Sequence, residues 1–317
     1  MLGSIAVSVR FGIAGGSWQD LSGSLWTARS SLSPTGAIML QMRLPRVVAA
    51  AACGAAFASA ANLMQGLTLN PLADAGLLGI NAGAGLLLAL AEILWPGHPA
   101  GISMLAAFSG ALLAVLLVYS LGQSRSRPQS PLRLILAGAA VSALLTALTQ
   151  ALALSFNLSK ELSFWTSGSL SGVTWQGLKL TLPGLAVASL LSLPLSGFLS
   201  VLALGQSSAQ ALGINLKRLR LAGLALVLVL AGSSVMLAGG IAYLGLIVPH
   251  IARRLTGADY RRQMPATGLL GASLLVWADL AARLINAPYD TPVGALVSLL
   301  GVPVYLILIR KNRAVVS

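Results

Sequence analysis

Long stretches without a single Asp, Glu, Lys or Arg dominate this chain: residues 47–73, 93–124, 134–159, 180–216, 221–252 and 291–309 carry none. About 20 apolar residues in helical form cross the hydrocarbon core of a bilayer, so most of these runs suffice for one crossing and several for two. A soluble globule needs a charged surface, which 56% hydrophobic against 9% charged residues does not supply. Backbone polar groups cannot stay unpaired in hydrocarbon, which leaves helices or a closed barrel. The runs do not alternate apolar with polar residues as barrel strands do. The expected fold is therefore all-α, a polytopic bundle of membrane helices. The 34 glycines fit it, because small residues let helix backbones approach closely in lipid.

A net charge of +13 raises nucleic acid as a partner, and the placement of the basic residues argues against it. Thirteen of the 20 Lys and Arg fall within 125–133, 217–220, 253–262 and 310–313, segments that an alternating topology puts on one side. Basic residues accumulate on the cytoplasmic side of membrane proteins, so these segments and the carboxyl terminus belong to the cytoplasm of a multi-pass inner-membrane protein. Six others, Arg29, Arg43, Arg46, Lys160, Lys179 and Arg283, fall on the opposite side.

Spans are expected near 47–68, 76–95, 100–122, 132–156, 177–204, 219–238, 241–253, 265–287 and 291–309, within one domain covering 1–317. Met1 to Val9 is too short to cross and reads as a stub or a half-buried helix; no basic region precedes it as in a signal peptide. The 241–253 span is short and holds Pro249, which suggests a broken helix. Residues 157–176, with Lys160, Glu161, Trp165 and Trp175, suit either a helix lying at the outer interface or a connecting loop.

Seven carboxylates and two histidines leave little for catalysis, and no catalytic residue, metal or cofactor is expected. His98 and His250 have no ligand companion at i+3 or i+4. Cys53, the only cysteine, reads as a small apolar filler. An ion-coupled carrier would place carboxylates in mid-span, and only Asp279 lies inside one, four residues before Arg283 at the spacing of a helical ion pair. No Gly-rich phosphate loop ending in Lys-Ser or Lys-Thr occurs, so an ATP motor would be a partner.

Several segments occur in a telling order. The first are Arg43-Leu44-Pro45-Arg46, Gly54, Gln65, Asn70-Pro71-Leu72-Ala73-Asp74, Gly79 and Gly83-Ala84. Then come Leu202-Ala203-Leu204-Gly205 with Ala211-Leu212-Gly213, Gly245-Leu246-Ile247-Val248-Pro249-His250-Ile251-Ala252-Arg253, Ala278-Asp279 with Arg283, and Pro292-Val293-Gly294. Over about residues 40–310 this pattern resembles the permeases of iron-siderophore, haem and vitamin B12 ABC importers.

The resemblance implies about ten membrane helices, a second permease subunit of the same or a homologous chain, cytoplasmic ATP-binding subunits that hydrolyse ATP, and an extracytoplasmic substrate-binding protein. Transport would proceed by alternating access, with ferric siderophore as cargo and haem or cobalamin as alternatives. Only the tail of the family's first helix is matched, by Met1 to Gly12, so residues 1–46 are expected to form a shortened first helix and an outer segment. Gly240 stands where the family usually has proline.

Arg43, Arg46 and Arg283 match the family's docking positions for the binding protein's carboxylates; arginines that snorkel at helix ends are the alternative. Residues 205–220 match the segment that seats in the ATPase, with Leu204, Gly205, Gln206, Ala211, Leu212 and Gly213 as the residues that touch it, against a passive loop. Asn70 and Leu72 match part of the cytoplasmic gate, and ordinary helix-end chemistry explains them equally. A secondary carrier, and an intramembrane enzyme built on Asp279 and His250, are the competing classes.

Overall fold

The structure, a computed structural model, describes residues 1–10, 34–122, 131–287 and 289–313; Arg29, Arg125 and Arg127 lie outside the described residues. In chain order the helices are α1 (Leu2–Arg10), α2 (Pro34–Ile38), α3 (Leu44–Thr68), α4 (Ile80–Leu94), α5 (Ala100–Gly122), α6 (Pro131–Ser155) and α7 (Ser159–Thr166). They continue as α8 (Trp175–Leu202), α9 (Gln206–Ala211), α10 (Leu216–Ala238), α11 (Leu244–Thr256), α12 (Tyr260–Ile285) and α13 (Val293–Arg313). No strand occurs among the described residues.

Six helical stretches there are long and apolar enough to cross a membrane: Gly36–Thr68, Ala100–Gly122, Arg133–Ser155, Trp175–Leu202, Leu216–Ala238 and Tyr260–Ile285. Ile80–Leu94 and Val293–Leu306 are shorter apolar helices. The expected span at 76–95 is interrupted: Ala75–Leu78 forms a 3-10 turn, and Gly79 takes a φ of 72° before α4 begins. A residue with a Cβ disfavours that φ, so glycine sets the break.

The helix expected at 241–253 begins later, at Leu244, because Gly239 and Tyr243 both adopt positive φ. Pro249 sits inside α11 without breaking it. Its missing N–H frees the carbonyl four residues earlier, Gly245 O, and Gln65 Nε2 donates to that oxygen at 3.2 Å. For 157–176 the structure shows a short helix, α7, then a turn ending at Thr174, whose hydroxyl accepts from Gly177 N at 3.3 Å and opens α8.

The core is built around α3. In the crossing stretch that contains it, 78% of the most apolar window is buried, against 22% for α6, so α3 is an inner helix and α6 a peripheral one. α12, α10, α8 and α11 all pack on α3. Glycine permits the tightest of these approaches, since a Cβ on Gly54 would fall on the carbonyl oxygen of Gly271 in α12, and one on Gly271 would fall on that of Gly54. Gly83 and Gly110 do the same for α4 against α5. The peripheral helices turn leucines outward, among them Leu116 of α5, Leu144 of α6 and Leu190 of α8, as a lipid-facing surface requires.

Candidate functional site

Arg43 ends a π-helical turn, Met39–Arg43, and Arg46 lies in the first turn of α3 behind Pro45, whose missing N–H is harmless at a helix start. Arg46 Nε donates to Asp279 Oδ1 at 2.7 Å, and its Nη1 reaches Asp290 Oδ1 at 3.0 Å. Asp279 is fully buried in α12. One turn on, Arg283 Nη2 pairs with Asp279 Oδ2 at 3.1 Å and donates to the hydroxyl of Ser8 in α1 at 2.5 Å. The three expected docking arginines are thus buried, each 7–8% exposed, and Arg46 and Arg283 converge on one carboxylate. They do not snorkel. The cluster joins α1, α3, α12 and the segment before α13, with Arg46 and Arg283 meeting the carboxylates of Asp279 and Asp290. Among the described residues the buried Arg46 Nη2 has no hydrogen-bond partner.

The expected coupling segment lies at the opposite end of α8. Gly205 (φ 119°) and Gly213 (φ 79°) bracket α9, conformations that L side chains rarely adopt. Gly213 N donates to Gln210 O at 2.9 Å and Ile214 N to Ala209 O at 3.0 Å, which closes the helix. Asn215 then caps α10 by accepting from Arg218 N at 3.1 Å. Leu204 and Leu212 stand 74% and 68% exposed, beside exposed Gln206 and Ala211. Two bare leucines, Leu204 just before Gly205 and Leu212 just after α9, flank this short, closed helix and form a small apolar knob on a polar end of the bundle.

Asn70 and Leu72, both half-buried, sit just past α3. Asn70 Oδ1 accepts from Leu72 N at 3.0 Å and its backbone O from Ala73 N at 3.1 Å, so the amide fixes the turn. The next residue, Asp74, lies against Gly245 of α11, where a Cβ would fall on its carboxylate. The turn is therefore wedged between α3 and α11.

A cavity of about 570 Å3 opens between α4, α6 and α7, lined among others by Asn81, Thr146, Thr149, Gln150, Ser163 and Thr166. Sequence reasoning missed it. Its signal was the set Thr146, Thr149 and Gln150, polar at i, i+3 and i+4 on an otherwise apolar helix, which puts three hydrogen-bonding groups on one face. Glu92, near a span end as expected, lies 3.7 Å from His98 Nε2. Among the described residues no group of three or more His, Cys, Asp and Glu could hold a metal ion. Cys53 is buried, with its sulfur 3.9 Å from Ser234 O.

The model of the FecCD transport family matches residues 1–311. The chain belongs to that family. It is 41% identical to the iron(3+)-hydroxamate import system permease protein FhuB of Bacillus subtilis over 92% of this chain and 76% of the relative. It is also 41% identical to the ferric enterobactin transport system permease protein FepD of Escherichia coli, over 87% of this chain and 82% of the relative. A solved metal-chelate type ABC transporter in an inward-facing conformation superposes with a TM-score of 0.85 at 26% identity, covering 98% of this chain and 96% of that one. This FecCD chain is accordingly a membrane-spanning permease of the iron-chelate ABC transport class. The Arg46–Asp279 pair joins residues 233 apart in it, and no local spacing announces such a pairing.

Proposed function

We propose that the chain is the permease subunit of an inner-membrane importer that takes up iron(III)-siderophore complexes by alternating access, with ATP hydrolysed by separate cytoplasmic subunits. The observation that carries this reading is the 41% identity along 92% of the chain to a hydroxamate import permease. The hydroxyl and amide lining of the cavity beside α6 supports it, since an oxygen-rich chelate needs donors and acceptors along its path. Counting the short apolar α4 and α13, the proline-bearing α11 and the stub α1 as membrane elements beside the six long spans of the described residues would give the ten that the resemblance implies.

In this reading the Leu204–Gly213 knob seats in the ATP-binding subunit and transmits its closure as a rigid-body motion. Replacing Leu212 by aspartate should weaken capture of that subunit by about 2 kcal/mol, roughly thirtyfold, as for a buried apolar anchor in an interface. Pull-down of the co-expressed ATPase with the detergent-purified permease reads this directly. Equal capture by wild type and L212D would make the segment a passive loop.

Arg43, Arg46 and Arg283 form the binding-protein dock, at the rim where Arg46 meets the half-exposed Asp290. Asp290, whose side chain is 38% exposed, opposes an incoming carboxylate. Asp290→Asn is therefore expected to speed association of the binding protein at low ionic strength and to match wild type near 1 M salt, where the Debye length is about 3 Å. Stopped-flow association at both salt concentrations checks this, and identical rates at low salt would count against a dock on this rim. Asn70 and Leu72 contribute to the cytoplasmic gate, the amide holding the turn that carries Leu72 across the end of α3.

A further inference from the structure

We propose that a groove on α8, beside the end of the coupling segment, holds one anionic phospholipid of the cytoplasmic leaflet, with its phosphate on Arg261. The groove, about 650 Å3, has apolar walls from Leu193, Pro194, Phe198 and Val201 of α8 and Leu212 beyond α9. Gly197 forms its floor, and the guanidinium of Arg261 lies over it: a Cβ on Gly197 would meet Arg261 Nε at 3.0 Å and Nη2 at 3.2 Å.

The cation is held in place with no carboxylate at ion-pair distance among the described residues. Asp259 caps α12 by accepting from Arg261 N at 3.0 Å, while Ser200 of α8 donates to the same carboxylate oxygen at 2.7 Å and accepts from Tyr260 N at 2.9 Å. These bonds pin the start of α12 onto α8, so Arg261 must project along the groove. They also occupy the nearest carboxylate, which the Ser200 hydroxyl, the Arg261 N–H and then the charges of Arg261 and Arg262 hold below the ordinary carboxylate range. Among the described residues the Arg261 guanidinium makes no hydrogen bond and no ion pair.

Depth and polarity select the occupant. Gly197 lies five residues before the end of α8, about 7.5 Å along the axis, a depth at which headgroup phosphates meet acyl chains. From the groove an exposed apolar stripe continues outward along α8 through Leu191, Leu190 and Val187. Val187 is fifteen residues from the helix end, about 22 Å, which is beyond the reach of a cytoplasmic protein and within that of an acyl chain. A planar guanidinium suits a phosphodiester, whose two free oxygens it can hold together. Exposed Lys217, Arg218, Arg253, Arg254 and Arg262 add a positive field on the side where anionic lipids concentrate.

The purified full chain would be titrated in micelles with phosphatidylglycerol or phosphatidylcholine of identical acyl chains, and the retained lipids counted by native mass spectrometry. The expected result is one lipid site that prefers phosphatidylglycerol by about fivefold, the worth of one interfacial cation. Arg261→Gln removes that preference. Arg262→Gln deletes the same charge one residue away from the groove and keeps it. Gly197→Leu fills the floor and expels the lipid, and a photo-crosslinker in place of Phe198 captures phosphatidylglycerol. Equal retention of both lipids, equal loss in the two arginine variants, or capture of protein at position 198 would each overturn the proposal.

Discussion

Replacing Asp279 with alanine is expected to lower the stability of the detergent-solubilised chain by about 3–5 kcal/mol, the range for breaking a buried ion pair by removing one partner. Asp279 has no exposed surface and faces both Arg46, at 2.7 Å, and Arg283, at 3.1 Å. Without it two guanidinium groups remain at 7–8% exposure, with Asp290 at the rim, Ser8 and the backbone carbonyl of residue 279 as their remaining partners. Arg46→Met together with Asp279→Leu should recover part of the loss, because it removes a buried charge of each sign. Thermal unfolding followed by tryptophan fluorescence distinguishes the cases. A D279A melting temperature equal to that of wild type would mean that solvent or lipid headgroups reach this cluster.

A comparable loss is expected for Gly54→Val, from sterics alone. Any Cβ at position 54 meets the backbone carbonyl of Gly271, which cannot rotate away as a flexible side chain could. α3 and α12 must separate, and the packing they give up belongs to the most deeply buried helix. Overpacking commonly costs about 1–3 kcal/mol; here the cost should exceed that range because the neighbour is backbone. Gly101→Ala is the matched control: it lies in α5 with nothing within 4 Å of its Cβ, and should be neutral or stabilising by up to about 1 kcal/mol. The yield of monodisperse protein and its melting temperature read both. Normal accumulation of G54V would disprove the close helix approach.

Sequence and structure agree where the information is local. Residues 100–122 form a helix as expected, since length and apolarity alone define such a span. Asp279 and Arg283 pair at i to i+4, as their spacing suggested. Legibility stops where interactions span the chain. Arg43, Arg46 and Arg283 look like outer-end arginines because charges mark helix ends, and only the fold shows that Arg46 and Arg283 turn inward onto Asp279. The break before α4 was equally hidden, because Gly79 is one glycine among 34 and nothing local marks its positive φ. Pro249 pointed to a broken helix; α11 persists because a distant side chain, Gln65, takes the carbonyl that the proline frees.

The most direct test of the transport account is uptake by proteoliposomes that hold this permease with its co-expressed ATP-binding subunits, supplied with the binding protein and labelled ferric hydroxamate siderophore. The account predicts accumulation that requires ATP and the binding protein, and that collapses with L212D while the permease still inserts. Accumulation driven by a proton or sodium gradient in the absence of any ATPase would contradict it and make the chain a secondary carrier.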